Sequence, residues 1–315
     1  MSLPINPKFI SSDMATDAEV DAASTVDRNR SNHTGNETVL TWNESATPAT
    51  PSLGVSTYVK DVGGRQMFAQ IGKSGVDYSF QPFFARNSIF SFKANGNATT
   101  STVFGNVAPT ANGTATTRLV ATTNFFTWMR RVGYVSNTTG NSSSGLRHTQ
   151  LQYGLGNGAG RGGFHFVVRF GISDATLVPG ARLFVGMAST AAVLGNADPS
   201  TFTNIIGVGL DAADTTLQIM HNDGAGSATK INLGASFPES TNTDLYELSL
   251  YCPPNGIEVD YQVINLSTGV STSGAIINNL PVNTQLLAWQ IWRHNVATGL
   301  AVGIDVASVY IETDN

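Results

Sequence analysis

The sequence predicts an all-β protein: an antiparallel jelly-roll or lectin-like sandwich over residues 146–315, a β-rich shoulder over 36–145, and a short N-terminal helix within 1–35. Three observations predict it. Only 12% of the 315 residues are Asp, Glu, Lys or Arg, while 41% are hydrophobic. A typical soluble domain carries about 25% charged residues, so a core can form beneath a surface of hydroxyls and amides. Short runs of alternating or β-branched residues recur closely along the second half. Turn signals rather than helical patterns separate many of them.

Residues 1–12 place Pro4 and Pro7 among Leu3, Ile5, Phe9 and Ile10. Proline blocks helix entry there, so this is an extended arm whose apolar side chains need a docking surface. Thr16 to Glu19 fits a capping box, and Met14, Ala18, Ala22 and Val26 make a narrow apolar stripe. A helix over about 14–30 follows. Its small side chains suit a bundle of identical helices as well as packing on its own chain.

Strands follow at Val55–Val59 and Ser88–Phe92, punctuated by Gly63-Gly64, Lys73–Gly75 and Asn95–Asn97. Thr123–Tyr134 is dense in aromatics, and Asn137–Gly145 is a loop of Asn, Thr, Ser and Gly. From residue 146 the runs are most regular. They begin at Phe164, Arg182, Ile205, Leu217, Lys230, Tyr246, Ile257, Leu286 and Ala307. Asn222–Gly226, Asn255-Gly256 and Ser267–Gly269 supply turns.

The chemistry is sparse. The net charge of −5 gives no basic excess to neutralise phosphates, so a nucleic-acid partner is excluded. No apolar run is long enough for a transmembrane helix, so no membrane insertion is expected. The N-terminus lacks the basic and apolar regions of a signal peptide, and sequons such as Asn36-Glu-Thr38 are attributed to Asn- and Thr-rich composition. One cysteine, Cys252, allows neither an intrachain disulfide nor a cysteine zinc site, and it is expected buried at a strand end. Five histidines form no metal-ligand pair, and no phosphate-binding loop or nucleophile elbow occurs. Asp211, Asp214 and Asp223 do not have EF-hand spacing. No catalytic residue, metal or cofactor is expected.

Glu258 and Asp260 share one strand face, a spacing of about 6.5 Å that a glycosidase could use and that a solvent-facing strand also produces. Trp292, Arg293 and His294 are the ligand-binding candidates. Trp289 and Trp292 lie three apart and face opposite sides of a strand. One belongs in the core. The other, beside Arg293 and His294, could stack on a sugar ring.

Several long strings resemble segments of tail-fibre-like proteins of tailed bacteriophages: Gly64–Pro82, Gly113–Val135, Arg169–Asp174 and the ending Ser308–Asn315. Asp13–Ala23 is similar to helices near the start of such fibres. The resemblance spans about 53–315 and implies a non-enzymatic virion structural protein on a tail or other surface appendage. It implies a homotrimer anchored to other virion proteins through residues 1–35, presenting its β-domain outward. Host-surface polysaccharide is the expected partner. A capsid or neck decoration with a purely structural role is the alternative, and a polysaccharide-degrading enzyme a further one.

Overall fold

The computed structural model describes residues 42–72, 77–79, 88–105, 107–157, 162–239, 241–253 and 257–313. The arm and helix expected within 1–35 lie outside the described residues. Residues 44–315 pack as one unit. Among the described residues no helix is long and apolar enough to cross a membrane.

The first strands, β1 (Val55–Val62), β2 (Arg65–Gly72) and β3 (Asp77–Ser79), form a small antiparallel meander. Next come β4 (Ser88–Ala94), β5 (Ser101–Phe104), β6 (Thr110–Asn112), β7 (Thr114–Thr117), the helical turn α1 (Phe125–Trp128), β8 (Val132–Val135) and β9 (Ser143–Arg147). The second half holds β10 (Phe164–Ile172), β11 (Arg182–Ala188), β12 (Ile205–Leu210), β13 (Gln218–Asn222), β14 (Thr229–Asn232) and β15 (Tyr246–Cys252). It ends with β16 (Val259–Asn265), β17 (Val270–Ile276), β18 (Ala288–His294) and β19 (Gly303–Thr313).

Two large antiparallel sheets make the sandwich. One runs β17-β16-β15-β10-β19-β4-β5, with β8 and β7 joining beside β19. The other runs β14-β13-β12-β11-β18-β9-β6. Alternation decides which side chains meet between them. Phe164, Phe166, Val168, Phe170 and Ile172 of β10 enter one continuous core with Leu183, Val185 and Met187 of β11 and Trp289 and Ile291 of β18. Fully burying a large apolar side chain of this kind contributes about 1.5–3 kcal/mol.

In β19 the period of two breaks once. Phe170 of β10 pairs with Val306, whereas Arg169 pairs with Ser308, leaving Ala307 as an extra residue. Such a bulge flips the parity of the strand. Ile304 and Val306 before it and Val309 and Ile311 after it therefore all reach the core. The bulge also marks where the neighbour of β19 changes from β8 to β4.

The sandwich does not begin at residue 146. β9 itself spans Ser143–Arg147, β6 and β9 complete the second sheet, and β4, β5, β7 and β8 belong to the first. The expected 36–145 shoulder is thus divided between the meander and both sheets. Some of its strands pair with partners more than two hundred residues away, as β4 does with β19, which local patterning does not reveal.

The helical turn α1 lies in the aromatic segment. Asn124 caps it, accepting from the Thr127 N–H at 2.8 Å while its own N–H donates to the Thr127 hydroxyl at 3.1 Å. Phe126 points inward beneath the Arg131 guanidinium, 4.7 Å from its ring centre. Arg131 in turn donates to Asp305 at 2.9 Å.

Candidate functional site

The three sequence candidates do not form an exposed platform. Trp292 is 2% exposed, Arg293 0% and His294 3%. Trp292 and His294 lie on the outer face of the second sheet, with ring centres 5.5 Å apart. Residues 189–204, between β11 and β12, cover that face. Their Leu194 and Phe202 pack with Trp292, Phe184, Ile205 and Met220 in a second apolar cluster. Arg293 faces the opposite way, as adjacent strand residues must. Its guanidinium donates to both Asp174 oxygens and, at 2.7 Å, to Glu239. Burial pulls the Arg293 pKa down, but Asp174 and Glu239 outweigh it and hold the group above its ordinary value. A buried, doubly paired cation is a structural clamp, and no stacking surface for a sugar remains at this position.

Other residues singled out in the sequence find ordinary partners. Lys230 pairs with Asp211 at 2.9 Å and Asp214 at 2.6 Å. Among the described residues no group of three acidic, His or Cys side chains could hold a metal ion. Cys252 is buried at the end of β15, and burial first of all pushes its thiol up to about 11. His165 faces away from the core and is buried under the β1–β2 turn, 3.1 Å from the Ser249 hydroxyl and 3.2 Å from Arg65.

That turn builds a polar cleft. Val62 pairs with Arg65, so Gly63 and Gly64 make a two-residue hairpin loop, with φ of +62° and +88°. This conformation suits a hairpin turn and favours glycine. Glycine is required twice over, because the turn presses on the outer face of the first sheet. A Cβ on Gly63 would fall 2.3 Å from the Ser249 Oγ, and one on Gly64 2.2 Å from the Asp260 Cβ. Arg65 follows and is buried, its guanidinium paired with Glu312 and 5.8 Å from the Tyr251 ring centre.

Between the seated hairpin and strands β16 and β17 lies a groove of about 730 Å³. Residues 44–47 form one wall, held parallel to β1 by the Ser45 N–H donating to the Val59 carbonyl at 2.9 Å. Glu44, Thr47, Asp61, Asp260, Gln262 and Ser273 offer carboxylate, amide and hydroxyl groups to it. The Gln66 amide donates to Glu44 at 2.9 Å and to Asp61 at 3.3 Å, and the Gly64 N–H fixes the other Asp61 oxygen at 3.0 Å. Burial, then Glu258, then Asp61 raise the Asp260 carboxyl above the usual carboxylate range. Sequence reasoning picked out Asp260 but paired it with Glu258, which does not line the groove. Asp61 and the 44–47 wall were missed, and the Gly-Gly turn that brings them to Asp260 was the available signal.

No family model matches the chain, and no curated protein does. Among solved structures, peanut lectin with a nine-residue peptide aligns at 13% identity over 71% of this chain and 96% of its own, with a TM-score of 0.47. Lectin II from Ulex europaeus aligns at 13% identity over 73% and 100%, with a TM-score of 0.47. A protein of unknown function from Shewanella oneidensis MR-1 aligns at 13% identity over 72% and 87%, also with a TM-score of 0.47. The antiparallel β-sandwich itself follows from the strand pairings described above.

Proposed function

We propose that this chain is a non-enzymatic attachment protein of a bacteriophage virion, a tail fibre or other appendage that holds host-surface polysaccharide. The observation that carries the binding part is the groove beside the Gly63-Gly64 turn. It is large enough for sugar units, and its hydroxyl, amide and carboxylate groups match the donors and acceptors of a glycan. Strands and a seated hairpin hold those groups, so little ordering is needed on binding. The virion assignment rests on the resemblance of the strings at 64–82, 113–135, 169–174 and 308–315 to segments of phage fibre proteins. Three weak grooves on a homotrimer would engage a repeating glycan together and multiply the effective affinity. Residues 1–35 would dock the trimer to other virion proteins.

Glycan-array and cell-binding measurements on the full chain, beside Asp260→Asn and Gln262→Ala, test this. Binding lost in both variants with unchanged unfolding midpoints is expected. No binding at high protein concentration, with incorporation into particles retained, would leave a purely structural decoration.

One observation favours a second reading, glycan hydrolysis. Asp61 and Asp260 share the groove, and burial with the neighbouring Glu258 and Asp61 shifts the Asp260 pKa upward, the direction a general acid needs. Reducing-end release that Asp260→Asn abolishes would replace attachment by hydrolysis.

A further inference from the structure

The outer face of the second sheet carries a different kind of cavity. Residues 189–204, with Ala188 and Ile205, line an open pocket of about 380 Å³ beside the Trp292 cluster. One part of its lining is apolar: Ala188, Val193, Leu194, Phe202 and Ile205. The rest is Gly195 and four hydroxyl residues, Ser189, Thr190, Thr201 and Thr203. No charged side chain lines it.

The loop is braced from beneath. The buried Gln290 amide donates to the Thr190 carbonyl at 2.6 Å and the Ala192 carbonyl at 3.1 Å. The buried Asn222 amide donates to the Phe202 carbonyl at 2.7 Å. The Ser200 N–H reaches Asp211 at 3.0 Å, and the Ala228 N–H reaches the Ser200 carbonyl at 2.7 Å. A loop held at so many points presents a preformed cavity. Below it, the Phe202 and Trp292 ring centres are 6.0 Å apart, and the Trp292 Nε1–H is buried with no hydrogen-bond partner.

We infer that this cavity is a saccharide subsite for an uncharged pyranose carrying a methyl-ended substituent. Hydroxyls beside an apolar wall match a sugar ring whose N-acetyl or 6-deoxy methyl group is buried against Val193, Leu194 and Phe202. The lack of charge in the lining disfavours uronic or sialic acids, because a desolvated carboxylate would find no cation there. The cavity falls within the size range of small-ligand sites. It lies on the sheet opposite the Asp61–Asp260 groove and does not depend on that groove's function.

The test is a titration of the full chain with methyl N-acetylglucosaminide, L-fucose, methyl glucoside and galacturonic acid. Saturation-transfer NMR reports binding, and tryptophan fluorescence reports the place. Saturable binding of at least one of the first two is expected, about tenfold tighter than that of methyl glucoside. Which one binds identifies the substituent. Thr203→Val and Val193→Trp should each weaken it about tenfold or more, and Trp292→Phe should remove the fluorescence response. Asp260→Asn should leave it unchanged, which separates this subsite from the groove. No saturable binding of either methyl-bearing sugar, equal binding of galacturonic acid, or binding that survives both cavity variants would overturn the inference.

Discussion

Arg293 meets Asp174 across the end of the sandwich, with Nε 3.0 Å from one carboxylate oxygen and 3.1 Å from the other, and both side chains wholly buried. Asp174 also accepts the Gly303 N–H at 2.7 Å, so the pair ties β18 to the start of β19. Removing one member of such a pair strands the other as a buried, uncompensated charge. Arg293→Met should therefore lower unfolding stability by about 3–5 kcal/mol, measured by urea denaturation. Glycan affinity per folded molecule should stay the same. A variant of normal stability that has lost glycan binding would restore Arg293 as a ligand contact.

Acid should loosen the protein through its buried histidines. The His294 Nδ1 accepts the Val296 N–H at 2.8 Å, so the ring is neutral with its proton on Nε2. Burial, then Arg182, holds the His294 pKa below its ordinary value, and burial does the same for His148 and His221. Well above a pKa of about 6.5 neither folded nor unfolded chain protonates these rings, and they cost nothing. As pH falls through about 6.5, the unfolded chain takes up protons that the folded one refuses, so stability falls. The melting temperature should drop steadily from pH 7 to pH 5. His148 sits among Phe90, Tyr153 and Trp289, with its Nε2 unpartnered, so His148→Phe should make that drop shallower. An unchanged slope would contradict the assignment.

Two glycines with similar backbone angles should respond differently to alanine. Gly226, at φ +70°, has nothing within 4 Å of a built Cβ, and Gly226→Ala should cost about 1 kcal/mol in backbone strain. Gly64→Ala adds the collision with Asp260. It should cost more than Gly226→Ala, by about 1–3 kcal/mol, and should also weaken glycan binding by displacing the hairpin. Denaturant unfolding of the two variants, with glycan binding measured beside it, checks this. Equal costs and intact binding would show that the hairpin is not seated on the sheet.

Val296 holds a left-handed backbone at φ +56°, a conformation poorly suited to a β-branched residue. Val296→Asn should raise stability by about 0.5–1 kcal/mol, read as an upward shift in melting temperature. A lower melting temperature would mean that the packing of the half-buried valine outweighs its backbone strain.

Most strands from Phe164 onward were legible because their inward residues are large and alternate, but β17 was missed, since its mostly exposed Val-Ser-Thr-Ser-Gly-Ala-Ile run carries no such pattern. The placement of β4 to β9 was not. Phe90 and Phe92 alternate just as clearly, but alternation does not say that β4 will pair with β19. The site was less legible still. Trp292 lies on the outer face as its distance from Trp289 implies, yet a loop a hundred residues earlier covers it. Arg293 was grouped with its chain neighbours although a strand sends consecutive side chains apart. Asp61 and Asp260 meet only because two glycines let a hairpin rest on a sheet.

The position of β19 between β10, β4 and β8 also sets an order of events at the ribosome. Until residues 303–313 emerge, the first sheet exists as separate fragments whose exposed edges can pair with the wrong neighbour. At ordinary synthesis rates β4 waits on the order of ten seconds or more for its partner. The chain must spend that interval with Phe90, Phe92 and Val132 lacking their eventual cover, so its yield should depend on what shields those edges during synthesis.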